Sequence, residues 1–218
     1  MSFAPDTTHL VVTFWYLIPI SIFLLGILKS PWFKGLFGEF IVNFSTKMLL
    51  DKNKYRLIKN VTLPTGDGTT QIDHIIVSVF GVFVVETKNM KGWIFGSPHQ
   101  KTWTQKIYRH SFKFQNPLHQ NFKHVRTLES LLGLNEKQIH SLVVFVGDIT
   151  FKTEMPENVT YGFGYSRYIK SKTTPVLTVT QVEEIVARIE QVRLAPSFKT
   201  SREHVAHVEE IVARKGQG

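Results

Sequence analysis

Apolar residues are distributed along this chain in three ways. An unbroken block occupies Leu10 to Leu28, a helically spaced series follows to Leu50, and strand-length runs fill residues 55 to 90. The block, LVVTFWYLIPISIFLLGIL, carries no charge. At a rise of about 1.5 Å per residue, a helix of this length crosses the roughly 30 Å hydrocarbon core of a bilayer. Pro19 can kink it, which membrane helices tolerate. A cleaved signal peptide is a rival reading, but the leader MSFAPDTTH lacks a positive n-region; a buried core helix is another. Lys29, Lys34 and Lys47 come after the block, so the positive-inside tendency puts the N-terminus outside and the remainder in the cytoplasm. The expectation is a single-pass cell-membrane protein with an anchor at 1–29, a main domain at 30–170 and C-terminal helices at 171–218.

Ser30-Pro31 reads as an N-cap with proline at the first helical position. The helix it opens runs to about Leu50, with Phe37, Phe40, Ile41, Phe44 and Met48 as a core-facing stripe. Glu39 lies off that stripe, and periodicity alone makes it a solvated acid. Strands follow at Tyr55–Leu63, Thr70–Ser78 and Val82–Lys88, separated by the turn residues of Pro64–Gly68 and by Phe80-Gly81. Lys101–Tyr108 predicts a further strand. Asn116-Pro117 caps a helix to Leu132, with Leu118, Phe122, Val125 and Leu132 inward and Gln120, Lys123 and Arg126 outward. Ser141–Val146 is continuously apolar, as in a central strand. Tyr161-Gly-Phe-Gly-Tyr165 reads as a turn between edge elements. Thr180-Gln-Val-Glu183 reads as a capping box opening a helix to about Arg193. VEEIVAR occurs at Val182–Arg188 and again at Val208–Arg214, which implies two similar amphipathic helices.

Three charged residues interrupt the apolar hairpin: Asp73, Glu86 and Lys88. An unpaired buried carboxylate is costly, so acids within apolar strands call for a reason. Glu86 and Lys88 are two apart and share a face. If Val79 pairs with Val82, Asp73 stands across from Lys88 on that same face. A three-residue loop without a bulge would send Asp73 to the other side. An ordinary Asp–Lys cross-strand pair, worth about 0.2–1 kcal/mol, would leave Glu86 unexplained. Two carboxylates with a backbone carbonyl suit Mg²⁺ (or Mn²⁺), which can activate water and neutralise phosphate charge, while Lys88 steadies the phosphorane.

Charge then sharpens the substrate class. The chain carries +9 and a pI near 9.7, which favours an anionic partner, nucleic acid or acidic membrane. No acid occurs between Glu86 and Glu129, a gap that holds Lys88, Lys91, Lys101, Lys106, Arg109, Lys113, Lys123 and Arg126. Aromatics are interleaved there: Trp93, Phe95, Trp103, Tyr108, Phe112, Phe114 and Phe122. Bases can stack on such rings while the cations meet phosphates. His99, His110, His119 and His124 lack zinc-ligand spacing and read as surface or phosphate-facing groups. The absence of cysteine excludes disulfides and thiolate metal sites.

An ordered series of short matches now carries a resemblance. Gly38-Glu39, Leu63-Pro64, Thr70-Gln-Ile-Asp-His74, Gly81-Val-Phe-Val-Val-Glu-Thr-Lys88, Gly92-Trp93, Trp103-Thr-Gln105 and Gln115-Asn-Pro117 with Gln120 resemble the nuclease-related domain (NERD) family, a branch of the PD-(D/E)XK phosphodiesterases. The resemblance runs from about Gly38 to Leu132. It implies an α/β fold, a PD-(D/E)XK-like mixed β-sheet flanked by helices, behind the N-terminal transmembrane helix. It also implies Mg²⁺ held by Asp73 and Glu86, assistance from Glu39, a catalytic Lys88, and Gln105 and Gln115 lining the site. The expected function is a membrane-anchored, Mg²⁺-dependent DNA endonuclease or DNA-processing enzyme. The expected DNA contacts are Lys91, Lys101, Lys106, Arg109, Lys113, Gln120 and Lys123. A nucleic-acid-binding module without turnover and a membrane-surface adaptor with a basic face are the competing readings.

Overall fold

The computed structural model describes residues 15, 17–23, 30–66 and 68–194, with 31–37 described by their backbone alone. Two sheets share the work. The first has the order β1-β2-β3-β7-β9, built from β1 (Arg56–Thr65), β2 (Gly68–Ser78), β3 (Gly81–Asn89), β7 (Ile139–Val146) and β9 (Val159–Tyr161). β1, β2 and β3 are antiparallel neighbours, whereas β7 and β9 continue the sheet in parallel. The second has the order β6-β5-β4-β8, from β4 (Gly92–Phe95), β5 (Thr102–Ile107), β6 (His110–Gln115) and β8 (Ile149–Phe151). The mixed α/β architecture agrees with the sequence expectation; the second sheet was foreseen only at β5.

Four helices cover the first sheet: α1 (Pro31–Leu49), α2 (Pro117–Leu132), α3 (Gly164–Ser171) and α4 (Val179–Val192). Ile75, Val77, Val82 and Val84 pack with Val125 and Leu128 of α2 and with Ile185 and Ile189 of α4. Ile76, Phe83, Val85 and Val144 form a separate cluster with Val42 of α1 and with Tyr165 and Ile169 of α3. Apolar side chains at both parities of β2, β3 and β7 explain their near-continuous hydrophobic runs. Pro64 sits in β1, an edge strand, where its missing N–H leaves no ladder bond unmade.

α2 starts where the sequence places it. Asn116 accepts from the Leu118 N–H at 2.9 Å and Pro117 takes the first turn. Its inward face differs from the expectation. Phe122 is exposed, and Asn121 and His124 are buried instead. Asn121 wins this place because its side-chain amide donates to Val84 O at 2.8 Å, Ser141 Oγ at 2.9 Å and Leu142 O at 3.2 Å. Those three bonds fasten α2 to β3 and β7 together.

α1 also corrects the sequence reading. Phe40, Phe44 and Met48 point outward, Met48 with 70% of its surface exposed, while Val42, Ser45 and Thr46 face the sheet. Ser45 and Thr46 are accepted inside because Tyr165 Oη lies 2.6 and 3.0 Å from their hydroxyls. Gly38 lets α1 approach closely: a Cβ there would come within 2.9 Å of Asn89 Cβ. The Tyr161–Tyr165 stretch is a turn at Gly162 that leads into α3, a helix the sequence reading omitted. α4 opens two residues earlier than expected, with Thr178 and Gln181 forming the capping box, and it buries Val182, Ile185 and Ile189. The second VEEIVAR copy and Asp67 lie outside the described residues.

Among the described residues, no helix is long and apolar enough to cross a membrane. Most of the Leu10–Leu28 block lies outside them. Its described part, residues 17–23, is helical and exposes Leu17, Ile18, Ile20, Ile22 and Phe23.

Replacing Asn121 with Ala removes the side-chain bonds that hold α2 to β3 and β7. A loss of about 2–4 kcal/mol is expected, read as a lower urea midpoint with an unchanged slope.

Candidate active site

The hairpin turn decides which side chains meet. Ser78 pairs with Gly81 across a two-residue turn, and His74 pairs with Val85. One step further along the ladder brings Asp73 level with Glu86, not with Lys88 as the sequence reading had it. The slip is two residues, so parity survives and the acids stay together. Asp73 Oδ2 accepts the Thr87 N–H at 2.8 Å, which draws this carboxylate across to β3 beside Glu86.

Glu86 is 3% exposed. Its Oε1 lies 2.7 Å from Lys88 Nζ, and the same ammonium donates to Gln120 Oε1 at 2.9 Å. The outward face predicted for Gln120 is therefore corrected: it turns toward the sheet and holds Lys88. His124 Nε2 stands 3.4 Å from Glu86 Oε2, longer than a well-formed charge-assisted bond. Neither atom has a hydrogen-bond partner elsewhere. The other imidazole nitrogen, Nδ1, lies 2.8 Å from Thr70 Oγ1. The reading of His124 as a surface group is corrected accordingly; it is buried against the central acid. Its position, four residues after Gln120 and three after Asn121, was the available signal, since all three lie on one helical side.

Electrostatics separates the two central carboxylates. Burial and the Glu86 charge push the Asp73 carboxyl up to about 8, against the Thr87 N–H that favours its charged form. Burial acts the same way on Glu86, but His124 and Lys88 outweigh it and hold that carboxyl below its ordinary range. Glu39 is half-buried on α1. Burial raises its pKa, Asn60 opposes this through a hydrogen bond, and the Glu86 charge adds to it. Asn60 reaches it from β1 with φ at 50°, in the left-handed region that asparagine tolerates better than most residues. His74 is fully buried, and burial followed by the Lys59 charge pushes it down to about 4.

The other predicted contacts divide by position. Gln105 donates to Lys91 O at 2.8 Å, which pins β5 to the segment just after Lys88. Gln115 pairs with Thr102 and falls on the opposite face of the second sheet from Gln105. Lys106 is on that outer face, 5.8 Å from the Trp93 ring centre, with Lys152 at 4.4 Å. Lys101 and Lys113 border an open groove of about 660 Å³ on the second sheet with Thr102 and Thr104. Arg109 is at the β5–β6 turn, and Lys123 is exposed on α2. They surround the second sheet and α2 and do not converge on Glu86.

Among the described residues, no group of three or more His, Asp or Glu side chains is already gathered as a metal cage. The donor chemistry fits a hard cation nonetheless. Asp73 and Glu86 are oxygen donors, Glu86 Oε2 is buried without a hydrogen-bond partner, and their mutual repulsion is what a bound cation would relieve.

A mixed sheet whose antiparallel hairpin brings an aspartate to an E-x-K strand end is the arrangement of a PD-(D/E)XK-type domain. The nuclease-related domain model matches residues 34–146, and the chain belongs to that family. The chain is also similar to an uncharacterized protein of Bacillus anthracis, 40% identical over 180 residues, covering 78% of this chain and 82% of the relative. No solved structure matches the chain.

The raised Asp73 pKa has a stability consequence. Between about pH 4 and 8 the folded metal-free protein holds a proton that the unfolded chain releases, so this residue subtracts stability as pH rises through that window. Asp73→Asn is expected to melt higher than the parent at pH 9 in EDTA and to show a smaller gain at pH 5.

Proposed function

We propose that this chain is a membrane-anchored, Mg²⁺- or Mn²⁺-dependent DNA endonuclease or DNA-processing enzyme. The observation that carries the reading is the contact between buried Glu86 and Lys88, with Asp73 drawn in beside them by the Thr87 N–H. Structural ion pairs are common on surfaces, but this acid is nearly sealed from water, and burying a pair for stability alone gains little.

Asp73 and Glu86 would hold the cation, with Glu39 beside them; when bound, it supplies charge neutralisation and a water of lowered pKa. The chain's own groups do the rest. Glu86 Oε1 and Gln120 Oε1 take two of the three Lys88 N–H donors, which fixes the ammonium and leaves one donor for a phosphate oxygen or the attacking water. His124, bonded to Thr70 through Nδ1, stands against the far oxygen of Glu86. Gln105, through Lys91 O, sets the second sheet against the strand end that carries Lys88.

Positive charge brings the substrate. Lys91, Lys101, Lys106, Arg109, Lys113 and Lys123 would neutralise phosphates in a region with no acid from residue 87 to 128. Membrane attachment, with the domain in the cytoplasm, is supported by the uncharged Leu10–Leu28 block, the exposed side chains of residues 17–23 and the outward Phe40, Phe44 and Met48 of α1. Phe40 and Phe44 stack on that outward side of α1, and an exposed apolar patch usually has an occupant.

The full chain is expected to cut DNA with Mg²⁺ and to stop in EDTA. Glu86→Ala and Lys88→Ala should each lower cleavage by at least about a hundredfold, with circular dichroism unchanged. Cutting retained in both variants would overturn the mechanism. Salt-sensitive DNA binding without cleavage under any metal would favour the binding module, and lipid binding indifferent to DNA the adaptor.

A further inference from the structure

The β5–β6 hairpin carries aromatic side chains that the proposed chemistry does not use. Its base is anchored: Trp103 is fully buried, stacks on Phe145 at 6.1 Å and meets the edge of Phe114 at 6.3 Å. Phe145 is the cross-strand partner of Lys88, so this base adjoins the candidate site. β4 leaves the end of β3, and β5 returns antiparallel with Lys106 beside Trp93. The tip, Tyr108-Arg109, therefore lies past Gly92, next to the strand end that bears Lys88. Phe112 pairs with Gln105 and His110 with Ile107, so both rings share the face that carries Trp103.

At the tip the sequence works against its own backbone. Tyr108 has φ at 51° in the first position of a two-residue turn, where glycine is favoured. A bulky residue there is an outlier, and its ring finds no packing in return, being 93% exposed. Phe112 is 53% exposed on the same hairpin. Strain and exposed rings together ask for a partner. Arg109 beside them at the turn favours an anionic partner.

We propose that Tyr108 and Phe112 form a stacking platform for unpaired or terminal bases, so that the site acts on DNA with open or forked ends. Arg109 would take the adjoining phosphate. This rests on the nuclease reading for the substrate's identity, but it is measurable without cleavage.

The test is fluorescence anisotropy of the full chain in EDTA, comparing a forked duplex with a covalently closed duplex minicircle of equal length. About tenfold tighter binding of the fork is expected, with quenching of 2-aminopurine placed in an unpaired arm. Tyr108→Gly combined with Phe112→Ser should bring the ratio near one and leave minicircle affinity unchanged. Tyr108→Gly alone suits the backbone, so its melting temperature should not fall. Equal binding of both probes by the parent, fork preference retained in the double variant, or a dimer that Phe112→Ser converts to monomer would each overturn the platform. Since hydrolysis plays no part, a protein that never cuts DNA can still pass, and one that cuts can still fail.

Discussion

Glu86 is charged and almost sealed from water, and much of the neighbouring structure is arranged to make that tolerable. The cost of dehydrating a carboxylate is several kcal/mol. It is offset here from three directions: an ammonium two residues along the same strand, an imidazole from α2, and an amide from the same helix that holds the ammonium in place. The imidazole and the amide both depend on how α2 is seated. Asn121 seats it, and the hairpin turn supplies Asp73 on the same side. The chemistry of the site is therefore a property of packing between one helix and one hairpin.

How much of this was legible in the sequence depends on which rule carried each residue. Asp73, Glu86 and Lys88 were legible because strand parity has only two outcomes. The register was off by two residues, yet the acids still converged, since a two-residue slip returns every side chain to its own face. Glu39 was not legible from periodicity. Its helix turns a polar strip of Ser45 and Thr46 inward to meet Tyr165 and leaves phenylalanines outside, reversing the usual meaning of an apolar stripe. His124 and Asn121 were hidden for a related reason. Their places are set by carbonyls and a carboxylate on strands far away in the chain, and no spacing rule reports such partners.

The second sheet shows the limit of local pattern from another side. β6 alternates poorly because nearly every residue in it is exposed, and β4 is only four residues long. Neither has the hydrophobic period that marks a strand. They exist because β4 continues from the end of β3 and Trp103 gives the sheet one anchor beneath Phe145. What resists prediction here is an appendage held at one end.

The seating of α2 by Asn121 carries a further consequence. Gln120 and His124 flank it within about one turn, so they share a single mechanical reference. A shift of the helix by one residue would withdraw the support for Lys88 and for Glu86 in the same movement. Substitutions elsewhere on α2 should then couple strongly to both, and mutational effects along this helix should multiply or mask one another instead of adding. A family built this way would lose the arrangement around Glu86 by slackening one joint, with every acidic residue still in the sequence.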